Sequence, residues 1–201
     1  MNPEKIPVAE LSVLDAIGQR RAVRNYLPDP VPRPVIQHLI DLAILAPSAV
    51  NQQPWAFAVI DDRSTLERLA KDGKELLLAE PPGPEVLGSG LPALAHLREA
   101  VAEPGYDLFH GAPTLIVIYA TEMHGVSDCY LAGENLMLAA LAFGLGTCPI
   151  GLSLPILEMP DVKAELEVGE DWIAALPMVL GYPAGATPAT KRRPARITTW
   201  R

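Results

Sequence analysis

The 201-residue sequence has little of what marks a stapled, metallated or nucleic-acid-binding protein. Its two cysteines, Cys129 and Cys148, are too few for a disulfide-rich scaffold and form no Cys-x-x-Cys pair. With no secretory leader in Met1–Glu10, the cysteine usage points to a reducing cytoplasm. The four histidines, His38, His96, His110 and His124, show no metal-ligand spacing, and no HExxH occurs. There is no GxxxxGK[ST] phosphate loop either. Positive charge is the scarcer sign, 16 Lys and Arg against 24 Asp and Glu, a net charge of −8. That balance excludes the basic stripe a nucleic-acid surface needs. No internal repeat and no linker divides the chain, so residues 1–201 read as one domain.

Charge is also missing locally. Between Glu134 and Glu158 there is no charged residue. A run of that length would span a bilayer, but Gly144, Gly146, Pro149, Gly151 and Pro155 break it. A broken backbone in lipid leaves polar groups unpaired, so the run reads as a buried helix followed by a buried loop. No membrane association is expected. Gly144-Leu145-Gly146 closes that helix instead of opening one after a strand, which argues against a dinucleotide-binding loop.

What is present is 49% hydrophobic, enough for a core that hides roughly 70% of the unfolded surface. The spacing predicts helices over Leu11–Gly18, from Pro34 to Ala46, and over Thr65–Leu78. Ser127 or Asp128 is expected to cap a further helix running to Leu145, closed by Gly144 and Gly146. Strands are predicted at Ala56–Ile60, Thr114–Ala120 and Ala174–Leu180. Glu80–Pro92 reads as a loop or lid. The tail from Pro188 has no apolar periodicity.

Three distant segments carry the candidate chemistry. The first is Arg20-Arg21-Ala22-Val23-Arg24. The second is Ala46-Pro47-Ser48-Ala49-Val50-Asn51-Gln52-Gln53-Pro54-Trp55. The third is Gly144-Leu145-Gly146-Thr147-Cys148-Pro149-Ile150-Gly151, followed later by Arg192-Arg193-Pro194. In this order and spacing, from about Leu11 to Pro194, they resemble the nitroreductase family of flavoproteins.

The resemblance implies an α+β fold with a central, mostly antiparallel sheet flanked by helices, in an intertwined homodimer with exchanged termini. It implies FMN as cofactor, NADH or NADPH as co-substrate, and a small electron acceptor such as a nitroaromatic, quinone or enone. By the same resemblance Arg20 and Arg192 reach the FMN phosphate, with Arg21 on the same segment. Arg24 faces the pyrimidine edge of the flavin, where a cation favours the reduced anion. Ala22 stands where the family usually has serine, which leaves only a backbone contact. Pro47, Ser48, Asn51 and Gln53 serve a flavin held mainly by the partner, and Pro149, Ile150 and Gly151 offer backbone near the flavin N5. No side chain is assigned as an acid, base or nucleophile. Cys148 and Trp55 read as core residues. A carrier without turnover, and the dehalogenating or flavin-destroying members of the same family, remain alternatives.

Overall fold

The run Thr114–Ala120 carries no charged residue because it is the centre of the molecule. In the computed structural model, which describes residues 9–79 and 99–201, every residue of this strand is buried. Its odd-numbered side chains, Leu115, Val117 and Tyr119, enter one core. The even-numbered Ile116, Ile118 and Ala120 enter another on the opposite face. Helices therefore cover both sides of the sheet.

The sheet contains β1 (Trp55–Ile60), β2 (Thr114–Ala120), β3 (Gly146–Pro149) and β4 (Ile173–Gly181), in the order β1-β2-β4-β3. All pairings are antiparallel. A bulge between Ile118 and Tyr119 shifts the register against β4, so Ala174 joins the first core while Ala175 and Leu176 join the second.

Of the helices, α1 (Val13–Gln19), α2 (Arg33–Ala43), α3 (Arg63–Ala79) and α4 (Val126–Ala142) precede the short α5 (Leu154–Leu157) and α6 (Pro160–Glu165). Leu66, Leu69 and Leu77 of α3, with Leu157 and Val162, fill the first core. Val35, Ile36 and Leu39 of α2 pack with Ala132, Leu136 and Ala140 of α4 in the second. Gly133 lets α4 settle on β4, since a Cβ there would overlap the Leu176 side chain. Burying these side chains contributes on the order of 1.5–3 kcal/mol each.

Two expectations about α4 need correction. Ser127 and Asp128 do not cap it: the cap residue is Gly125, and both lie inside the first turn. The helix also stops at Ala142, because Gly144 turns the chain at φ +68 and Gly146 already belongs to β3. That fourth strand is absent from the sequence reading, since Gly-Thr-Cys-Pro is too short to show alternation. The expected Glu80–Pro92 loop lies outside the described residues. Among the described residues no helix is long and apolar enough to cross a membrane, and no cluster of three metal-ligating side chains occurs.

Candidate functional site

β3 is a sheet edge, and the arginine segment lies along it. Val23 N–H donates to the Thr147 carbonyl at 3.0 Å, and Ala22 bridges Thr147 in parallel register. Farther on, Leu27 N–H donates to Tyr182 O (2.8 Å) and Ala184 N–H to Asn25 O (2.9 Å). Val23 and Tyr26 point inward and are buried; the Tyr26 hydroxyl donates to the Val23 carbonyl at 2.7 Å. Gly146 permits this close approach, because a Cβ would meet Val23 Cγ2 at 2.5 Å. The segment is thus stitched to the sheet while its arginines project from it.

Each arginine has a different environment. Arg20 is half-buried, with its Nε 3.5 Å from Oε1 of Glu134 on α4. Arg21 folds back, donating to Gly18 O (2.8 Å) and Arg20 O (2.7 Å), where it serves the C-terminal end of α1. Arg24 is exposed. Its charge reaches Tyr26, Tyr106, His110 and Cys148. Burial pushes the His110 pKa below its ordinary value, Arg24 pushes the same way, and Asp107 opposes both. The Cys148 thiol is raised by burial, while Arg24 and Arg20 pull it down. It is the protonated, buried core residue the sequence suggested.

A cavity of about 180 Å³ opens beside Arg20 and Arg21, floored by Gly146 and Thr147 and walled by Met137, Pro183 and Thr187. Pro149, the last residue of β3, and Gly151 beyond it are exposed, with Ile150 buried between them. Nothing lies within 4 Å of a Cβ added to Gly151. Arg192, in the exposed tail without secondary structure, does not line this cavity.

Pro47, Ser48, Asn51 and Gln53 form a separate group, on the loop between α2 and β1. Ser48 Oγ accepts from Gln53 N–H at 2.9 Å. Val50, Asn51 and Gln53 all have positive φ, at 43°, 57° and 50°. The loop is held by α4: Asp128 Oδ2 accepts the Ala49 N–H at 3.1 Å. Pro54 packs beneath Gly125, whose Cβ would meet the proline ring at 2.5 Å. Trp55 packs partly buried against the second core. In one chain, then, the arginine segment and the β3 end come together, while the Pro47–Gln53 loop hangs from the other end of α4. Asp128 and Glu134 are six positions apart, so the two anchor points on that helix are about 9 Å apart along its axis.

From the sequence alone, Glu134, Asp128, Tyr106 and His110 had no place in the site. Only the charges inside an otherwise apolar helix signalled the first two.

A profile of the Nitroreductase family matches residues 17–182. The chain belongs to the nitroreductase family. It is 31% identical to an NADH dehydrogenase of Thermus thermophilus over 96% of this chain and 99% of that protein. Among solved structures of the family fold, a nitroreductase with bound FMN from Bacteroides fragilis superposes with a TM-score of 0.74 at 28% identity, covering 94% of this chain and 98% of that one. An iodotyrosine deiodinase bound to FMN and 3-iodo-L-tyrosine shares the fold, with a TM-score of 0.71 at 19% identity over 92% and 97% of the two chains. The family's α+β architecture, an antiparallel sheet between helices, is the one this chain adopts.

Proposed function

We propose that this chain is an FMN-dependent oxidoreductase that passes electrons from NADH or NADPH to a small acceptor such as a nitroaromatic, quinone or enone. The observation that carries this is the laying of Arg20–Arg24 along β3, which gathers arginines and the Pro149–Gly151 backbone at one sheet edge.

The donor set fits the cofactor. Guanidinium groups make charge-assisted, bidentate bonds to phosphate, and Arg20 beside an open cavity, with Arg192 from a tail, supplies that chemistry. Arg21 is already committed to backbone carbonyls and contributes mainly by fixing the segment. Ala22 offers only its backbone. Arg24 is the cation for the pyrimidine edge. Gly151 leaves backbone open to close approach, and Pro149 and Ile150 set its position. FMN bound here would supply hydride acceptance from a reduced nicotinamide and its delivery to an acceptor. The protein's part is to bind, orient and supply the field; no side chain here is needed to move a proton.

Pro47, Ser48, Asn51 and Gln53 act on the flavin of a second copy. Several features support a homodimer. Val13, Leu14 and Ile17 of α1 are 70%, 81% and 57% exposed. Val13 lines a mainly apolar groove of about 360 Å³ between α1, α2 and α4. Among the described residues β1 is an edge strand, and the tail carries exposed Ile197 and Trp200, which suits exchanged termini. Free, buried Cys129 and Cys148 suit a reducing cytoplasm.

The test is to release the chromophore from purified protein with acid, then assay both nicotinamides against a nitroaromatic, a quinone, an enone and an iodinated phenol. FMN at about one per chain with turnover is the expected result. FAD, or no flavin after reconstitution, overturns the reading. FMN without turnover makes the protein a carrier. Turnover on the iodinated phenol alone, or FMN consumed in the assay, moves it to the dehalogenating or flavin-destroying branch.

A further inference from the structure

We infer that Asp128 is a positioning residue, whose buried carboxylate holds the Ser48–Gln53 loop in the left-handed shape that presents its polar groups to a flavin. The inference rests on the proposed flavin role of that loop and adds the residue that sets its geometry.

The loop is strained. Three non-glycine residues in four have positive φ, and one of them, Val50, is β-branched. Left-handed backbone is costly for such a side chain and persists only where the surroundings over-determine it. Packing within the protomer does not hold Val50, which is 90% exposed. The restraint must therefore come through the loop's backbone and its anchors.

Those anchors converge on the start of α4. Pro54 O accepts from Thr121 N–H at 3.0 Å and from the Cys129 thiol at 3.8 Å, fixing the loop's exit. Gln52 Oε1 lies 3.2 Å from His124 Nε2, on the exposed side. At the entry the anchor is Asp128 alone among these side chains, reaching the Ala49 N–H across 79 positions of sequence. Asp128 is only 7% exposed. A carboxylate is expensive to bury without partners, so its placement here calls for a specific role. An acid in a first helical turn also favours the helix dipole. That role alone needs no contact with the loop, and burial gives it no advantage.

The two roles separate on substitution. Asp128→Asn keeps an oxygen acceptor and loses the charge, whereas Asp128→Ala loses both. Ala49→Pro removes the donor from the other side. Proline fits there, because Ser48 before it is already extended (φ −134, ψ 155) and Ala49 opens the turn. The experiment titrates full-length apo-protein with FMN and with riboflavin by fluorescence quenching. It also records visible circular dichroism of the bound flavin and thermal denaturation.

Asp128→Ala and Ala49→Pro should each weaken FMN binding about 10-fold, the loss expected for one hydrogen-bonded restraint. Riboflavin should lose the same factor, since the arginines are untouched, and the dichroism of the bound ring should change. Asp128→Asn should stay within about 3-fold of the wild type. Wild-type affinity and dichroism in Asp128→Ala overturn the inference and leave the proposed function standing. So does an Asn variant as weak as the Ala variant, because charge and not the hydrogen bond then matters. If Asp128→Ala fails to fold, Ala49→Pro and Asp128→Asn decide between the same outcomes. A wild-type chain that binds no FMN overturns the proposed function itself, and this inference with it.

Discussion

Nε of Arg20 lies 3.5 Å from Oε1 of Glu134, so the guanidinium assigned to a phosphate already faces an anion. Both groups are partly exposed, and a pair of this kind contributes no more than about 1 kcal/mol. A phosphate brought to Arg20 then meets the Glu134 charge as a repulsion. Glu134→Gln should tighten FMN binding by roughly 3-fold at low salt, with the gain fading as ionic strength rises. Riboflavin, with no phosphate, should be indifferent. Parallel fluorescence titrations at low and high salt check this; weaker FMN binding in the variant would make Glu134 an orienting partner instead.

Arg24 is exposed, yet its field reaches Tyr106, His110 and Cys148. Arg24→Ala should leave the melting temperature close to wild type. It should lower the flavin reduction potential and slow reduction by NADH or NADPH, since the anionic reduced ring loses its cation. Spectroelectrochemistry and stopped-flow reduction measure both. Unchanged values assign Arg24 to the solvated surface.

Arg192 lies in an exposed segment without secondary structure, so packing gives it little reason to be ordered. A phosphate would supply one. Arg192→Ala should weaken FMN binding about 10- to 100-fold, the range for a charge-assisted bond. Arg196→Ala, beyond Pro194, should do much less. Equal losses would point to general tail electrostatics.

His110 makes the acid side of the stability curve informative. Its pKa is held below the ordinary 6.5 by burial first and by Arg24 second, against Asp107. The unfolded chain therefore binds a proton before the folded one does. Stability should fall as pH drops from about 6.5, and the loss should saturate once His110 protonates in the folded state. His110 has φ 57, a backbone that asparagine tolerates, so His110→Asn should flatten this region without strain. Urea midpoints from pH 8 to pH 5 test it; an equally steep loss in the variant would place the titrating group elsewhere.

Lys163 is the most consequential buried cation. Its Nζ meets Glu158 Oε2 at 2.7 Å and donates to Glu170 O (3.0 Å) and Trp172 O (2.6 Å). Glu158 also accepts from Ala174 N–H at 2.6 Å, so the pair fixes the entry to β4. Lys163→Met should destabilise by roughly 2–3 kcal/mol, less than a fully buried pair because Glu158 can rehydrate. Denaturant unfolding would show it as a lower midpoint at unchanged slope.

The sequence displayed whatever is repeated along one element. β2 was legible because burial on both faces leaves no charged position and favours β-branched and aromatic residues. The Arg20–Arg24 segment was legible because its charges cluster. Contacts between distant elements were not: the Arg20–Glu134 pair joins residues on two elements, and neither side chain announces the other. Asp128 looked like a helix cap because the residue type suits that position, whereas its partner, Ala49, lies 79 positions away. β3 was hidden by its shortness. His110 carries no motif, and only folding brings it near Arg24.

The central position of β2 also sets a schedule. Its two partners lie far away in sequence, and β4 is the last strand in the chain. On a ribosome adding about 5–20 residues per second, the roughly 50 residues between β2 and β4 take on the order of 3–10 s to appear. During that interval the strand that ends up fully buried has one edge unsatisfied and unsheltered. Nascent chains of this protein should therefore depend on holding chaperones in that window more than after β4 emerges.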